Sequence, residues 1–150
     1  MSPVSNEDLE VFGLVRGSCE SQQTLEGLAI LVALRLWNDS SNSRFVRLCV
    51  RGDNVGALTL LIKMRPSSAQ QAVIARELAL IIEKAAFPPT VNHTPGVAHK
   101  LADMLSRVFD PRRGAEDVAN HPSLAKAVCT FAPARPSSWY RTLGQPVRSA

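Results

Sequence analysis

Residues Arg44-Phe45-Val46-Arg47-Leu48-Cys49-Val50-Arg51 form a β-rich run that stops at Gly52, and Asp53 follows at once. The apolar middle of the run resembles a strand buried on both faces, the pattern of a parallel sheet. Beyond Asp53, the residues Val55, Leu58, Leu61 and Ile62 keep helical spacing as far as Met64, and Pro66 breaks the pattern. Ser67 or Ser68 can cap a further helix with Val73, Leu78, Ile81 and Ile82 on its apolar face and Arg76, Glu77, Glu83 and Lys84 on its wet one. Phe87-Pro88-Pro89 ends that helix, and Thr90-Val91-Asn92-His93-Thr94 reads as a short second strand. Strands joined by helices pair through a crossover, so residues 45–50 and 90–93 are expected to lie parallel and adjacent. An α/β class follows.

Ahead of the first strand, Leu25, Leu28, Ala29, Val32 and Leu36 recur at three- and four-residue steps, with Ile30, Leu31 and Leu34 widening the face. This predicts a helix over 22–37, buried on most sides with Trp37 in the core, and closed by the turn cluster Asn38-Asp39-Ser40-Ser41-Asn42-Ser43. The apolar run 28–36 contains Arg35 and is too short to span a bilayer, so no membrane is expected as a partner. Acids at Glu7, Asp8 and Glu10 stand where a secretory signal would carry basic and then apolar residues, which predicts an intracellular protein, cytoplasmic or nuclear. Cys19, Cys49 and Cys129 have no paired spacing, so reduced thiols are expected, with Cys49 as a small buried hydrophobe in its strand.

Three regions are predicted: an irregular segment over 1–21 with a short helical turn, a domain over 22–110, and a Pro/Arg-rich basic tail over 111–150, poorly packed. The net charge of +4 suits a polyanionic partner without requiring one. Within the domain, Pro95-Gly96 makes a turn and residues 97–109 read as a last amphipathic helix carrying Asp103.

Three acids occupy places where a solvated surface residue is unexpected. Glu26 opens an otherwise apolar helix, Asp53 ends a buried strand, where α/β proteins place ligand sites, and Asp103 lies between Ala102 and Met104. Each also has an ordinary explanation: a favourable helix dipole for Glu26, an N-cap for Asp53, a wet helix face for Asp103.

Taken in order, these residues resemble the ribonuclease H domain of retroelement reverse transcriptases. In that family a Glu lies early in an apolar helix, as in Leu25-Glu26-Gly27-Leu28-Ala29-Ile30-Leu31-Val32, and an Asp ends the following strand, as in Val50-Arg51-Gly52-Asp53-Asn54. A strand leading to a histidine and a Pro-Gly turn comes next, then a helix with the last acid, as in His93-Thr94-Pro95-Gly96-Val97-Ala98-His99-Lys100-Leu101-Ala102-Asp103-Met104-Leu105-Ser106-Arg107. The closing Ala-Asp-x-Leu-Ser-Arg stretch is the most specific part, and the likeness covers residues 22–107. It implies an incomplete ribonuclease H-like fold of two parallel strands with several helices, the first three strands missing. Those antiparallel strands carry, in the family, an Asp that bridges both metals; nothing ahead of Glu26 has that pattern, and His99 stands where many relatives have Asn.

The resemblance further implies hydrolysis of RNA in RNA/DNA hybrids by two Mg²⁺ or Mn²⁺ ions about 3.5 to 4 Å apart, which activate a water and stabilise the leaving oxygen. Glu26 and Asp53 would hold one metal and Asp103 the other, with weak binding and little activity because the bridging Asp is absent. Asn54, His93 and His99 are the implied nucleic-acid contacts, and a reverse transcriptase polymerase domain an implied partner. Two other readings stay open: a non-catalytic remnant that binds nucleic acid, and a helical interaction module whose acids are surface residues.

Overall fold

Local capping chemistry sets the helix boundaries. The computed structural model describes residues 4–40, 48–84, 89–98, 100–106, 121–124 and 132–144. Helix α1 (Asn6–Phe12) opens on a capping box, in which the Ser5 hydroxyl accepts from the Asp8 amide at 3.1 Å and the Asp8 carboxylate accepts from the Ser5 amide at 2.8 Å. Gly13 closes it in the left-handed region at φ 58°, where glycine carries no Cβ penalty. Helix α2 (Cys19–Ser40) is longer at both ends than the 22–37 span the apolar spacing predicts.

Strand β1 (Cys49–Gly52) leads through Asp53 and Asn54 into α3 (Val55–Lys63), and α4 (Ala69–Ile82) follows. Ser68 caps α4 by accepting from the Gln71 amide at 3.2 Å, and Ser67 donates from its amide to the Gln71 side chain, so both serines serve that terminus. Strand β2 (Thr90–His93) pairs with β1 in parallel, with Cys49 opposite Thr90 and Gly52 opposite His93, as the crossover argument requires. Residues 45–47 of the predicted first strand lie outside the described residues. The last predicted helix is a 3₁₀ turn at Gly96–Ala98 followed by α5 (Lys100–Ser106), since the Pro95 carbonyl accepts from Ala98 and tightens the entry. The described residues thus form a mixed α/β arrangement, mostly helical, with two parallel strands.

Helix α2 packs on α3 and α4, and α3 touches both strands. Leu28, Leu31 and Leu34 of α2 meet Leu60 and Leu61 of α3 and Val73, Ile74 and Leu78 of α4 in one apolar cluster. Gly27 allows the close approach: a Cβ there would lie 3.4 Å from Leu60 and 3.6 Å from Ile74. Leu31 is fully enclosed, and truncating such a residue to Ala costs about 2–5 kcal/mol.

Three readings of burial change. Strand β1 is not enclosed on both faces: exposed Cys49 and Arg51 alternate with half-buried Val50 and Gly52, and the Cys49 thiol is exposed. Two described strands leave one side of β1 uncovered, whereas the apolar run alone suggests a central strand. Glu77, assigned to the wet face of α4, is wholly buried. It pairs there with Arg35 of α2 and accepts from the Thr142 amide at 2.5 Å.

Residues 132–144, expected within a poorly packed tail, also lie on the helices. Arg135 donates to both oxygens of the buried Asp8 carboxylate, from Nε at 2.8 Å and from Nη2 at 2.6 Å, and the Tyr140 hydroxyl donates to the same group at 3.3 Å. The Arg35 guanidinium stacks 3.8 Å over the Trp139 ring and donates to the Trp139 carbonyl at 2.7 Å. The physical reason is pairing at long range: cations and aromatic rings that look solvated in sequence find two buried carboxylates. No helix among the described residues is long and apolar enough to cross a membrane.

A candidate carboxylate cleft

Parallel pairing brings the C-terminal ends of β1 and β2 side by side, so whatever follows each strand emerges at the same edge. Asp53 follows β1. After β2, the Thr94 amide donates to the Gly52 carbonyl at 2.9 Å, which pins the turn leading to α5 against the end of β1. Gly96 in that turn lies so near Asp53 that a Cβ would stand 3.2 Å from Asp53 Oδ2. Asp103, on α5 directly beyond, is thereby held at the same end of the sheet.

Helix α2 contributes to the lining of the same cleft. Its residues Leu25, Glu26, Ala29, Ile30, Ala33 and Trp37 recur at the spacing of one helical face and line an open cleft of about 1080 Å³ together with β1, Asp53, Gly96 and Asp103. Glu26, Asp53 and Asp103 therefore share one cleft, contributed by a helix, a strand end and a second helix. Glu26 is half-buried, and Asp53 and Asp103 are exposed.

The remaining predicted site residues stand elsewhere. Asn54, and not Asp53, caps α3, accepting from the Ala57 amide at 3.0 Å. Asn54 and the exposed His93 at the end of β2 are not among the cleft-lining residues. His99 lies outside the described residues. Trp37, predicted in the core, is 53% exposed and lines the cleft instead. Its place was recoverable from spacing: eleven residues separate it from Glu26, three helical turns to within about 20°, so the two share a face about 16 Å apart.

Among the described residues, the cleft lining holds these carboxylates together with the basic Arg51. Carboxylate oxygens are hard donors of the kind that bind hard divalent cations, so the donor chemistry fits Mg²⁺ or Mn²⁺. Their spacing is looser than a ligand cluster: among the described residues no three His, Cys, Asp or Glu side chains are grouped so as to hold a metal ion.

No protein-family model, curated protein or solved structure matches the chain. The meaning of the cleft accordingly rests on its own geometry and on the motifs that line it.

Proposed function

We propose that this chain is a ribonuclease H-like domain of retroelement type, incomplete in its catalytic machinery, whose activity in complete form is Mg²⁺-dependent hydrolysis of RNA in RNA/DNA hybrids. The observation that carries the reading is that Glu26, Asp53 and Asp103, the three acids the resemblance singles out, line one cleft although 77 residues separate the first from the last. Acids that were merely solvated surface residues would have no reason to share a concavity.

Bound divalent cations would supply activation of a water and charge stabilisation at the leaving oxygen. The residues of the chain then have distinct tasks. Asp53, directly after the strand end and beside Gly96, and Glu26 on α2 would each present oxygens to the cleft. Asp103 presents a third from α5. The open spacing of the three accounts for an expected low metal affinity, since a shared bridging carboxylate is what draws two cations together.

The reading is tested by titrating Mn²⁺ into the labelled protein and following paramagnetic broadening of amide signals. Broadening should centre on Glu26, Asp53 and Asp103 at millimolar Mn²⁺ and be lost in Asp53→Asn. Broadening that spreads evenly over the surface acids, or survives that substitution unchanged, contradicts it. A non-catalytic nucleic-acid-binding remnant is the second reading, favoured by the lack of a closed ligand group among the described residues. It predicts hybrid binding that metal does not strengthen.

A further inference from the structure

Residues 132–144 grip the rest of the chain on two sides. Towards α1, Arg135 and Tyr140 both donate to the buried Asp8 carboxylate, and the Tyr140 ring meets Phe12 edge-on with centroids 5.2 Å apart. Towards α2 and α4, Trp139 stacks on the Arg35 guanidinium, the Thr142 amide donates to Glu77, and the Thr142 hydroxyl donates to the Val73 carbonyl at 3.4 Å. Helix α1 and this late segment are thus joined to each other and laid on the same helices.

The attachment differs in kind from the core beneath it. Leucines, isoleucine and valine of α2, α3 and α4 hold that core together, and exposing them costs in proportion to apolar area. The segment is anchored on two buried carboxylates, each paired with an arginine. When such pairs open, both charges recover their hydration, which offsets much of the attraction lost. An element anchored in this way opens at a lower free energy than the apolar core that it covers. The same contacts reach the cleft. Among the described residues of α2, Leu34 is the last in the apolar cluster. One residue on, Arg35 holds Glu77 and the Trp139 carbonyl, and two residues further Trp37 lines the cleft. The end of α2 that carries the indole is therefore clamped through Arg35.

We propose that α1 and residues 132–144 form a clasp that opens as one unit while the α2–α4 core stays folded, and that its closure holds the end of α2, with Trp37, in place along the cleft. Opening the clasp frees Arg35 from Trp139 and lets the last described turn of α2 unwind, which withdraws the indole from the cleft lining. The inference rests on the contacts of Asp8, Arg35, Glu77, Arg135 and Trp139, and stands whether or not the cleft takes metal or nucleic acid.

Amide hydrogen exchange of the whole chain, read residue by residue in metal-free buffer at urea concentrations below the unfolding transition, tests this. The amides of Phe12, Thr142 and Trp37 should share one opening, with a lower free energy and a smaller urea slope than the opening shared by Leu31, Ile74 and Leu78. Trp139→Leu removes the stack on Arg35, and in it Phe12, Thr142 and Trp37 should all exchange about fivefold faster or more. A single opening common to all six amides in the unsubstituted chain would show that the segment leaves only with the whole fold, and overturns the proposal. So does a Trp37 amide whose exchange departs from that of Thr142, or stays unchanged in Trp139→Leu, since the end of α2 would then fray on its own.

Discussion

Asp8→Asn is expected to destabilise the fold by about 3–5 kcal/mol, the usual cost of leaving a buried charge without its partner. Asp8 is fully buried and Arg135 only 5% exposed. The carboxylate accepts from Arg135 Nη2 at 2.6 Å and Nε at 2.8 Å, from the Ser5 amide at 2.8 Å and hydroxyl at 2.9 Å, and from Tyr140 at 3.3 Å. Asparagine keeps one acceptor oxygen but turns an NH₂ towards a guanidinium, donor against donor, and the enclosed Arg135 charge loses the carboxylate that both its Nε and Nη2 are bonded to. For a chain of this size about 2–4 °C of melting temperature goes with each kcal/mol, so the midpoint should fall by about 6–20 °C. Thermal and urea denaturation followed by circular dichroism measures this. The paired replacement Asp8→Leu with Arg135→Met removes both charges and should recover much of the loss. A single-variant loss under about 1 kcal/mol, or a double variant no better than the single one, would refute the reasoning.

The same contact sets a pH dependence. Burial alone would raise the Asp8 carboxyl pKa, but hydrogen bonds from Arg135 and Ser5 and the nearby Arg135 charge together hold it below the ordinary value of 3.8. A carboxyl depressed in the folded state contributes stability that is fully present above pH 3.8 and is lost as pH falls below that value through the folded pKa. Acid titration of stability should therefore show a loss in wild type that Asp8→Asn lacks. Gly27→Ala fits the 3.4 Å gap to Leu60 and should stabilise by up to about 1 kcal/mol through helix propensity, whereas Gly27→Val should cost about 1–3 kcal/mol by overpacking, as denaturant midpoints would report. Acrylamide should quench Trp37 strongly and Trp139, covered by Arg35, weakly, so Trp37→Phe should remove most of the quenchable fluorescence. Strong quenching that persists in that variant would contradict the packing of Trp139.

The elements set by local pattern were legible in the sequence. Apolar periodicity placed α2, α3 and α4, Ser67 and Ser68 marked the start of α4, and the long helical interval between two short strands required their parallel pairing. The three acids were singled out as a group by the resemblance alone, and all three are among the residues that line one cleft. What escaped was charge burial. Asp8 meets Arg135 across 127 residues and Glu77 meets Arg35 across 42, and in sequence Asp8 reads as part of an acidic segment and Glu77 as part of a wet helix face. Trp37 escaped for the converse reason: a large apolar ring at the end of an apolar helix reads as core, whereas it stands 53% exposed in the lining of the cleft. Asn54 took the capping role offered to Asp53, a difference of one position that sequence preference does not resolve.

Cleavage of a labelled RNA/DNA hybrid in Mg²⁺ tests the central claim most directly, comparing the 150-residue chain with one carrying a three-strand ribonuclease H segment, with its bridging Asp, fused ahead of Ser2. The account predicts cleavage near background for the chain alone, measurable cleavage for the fusion, and its loss again on Asp53→Asn. Robust Mg²⁺-dependent cleavage by the unfused chain, or a folded fusion that never cuts, would contradict it.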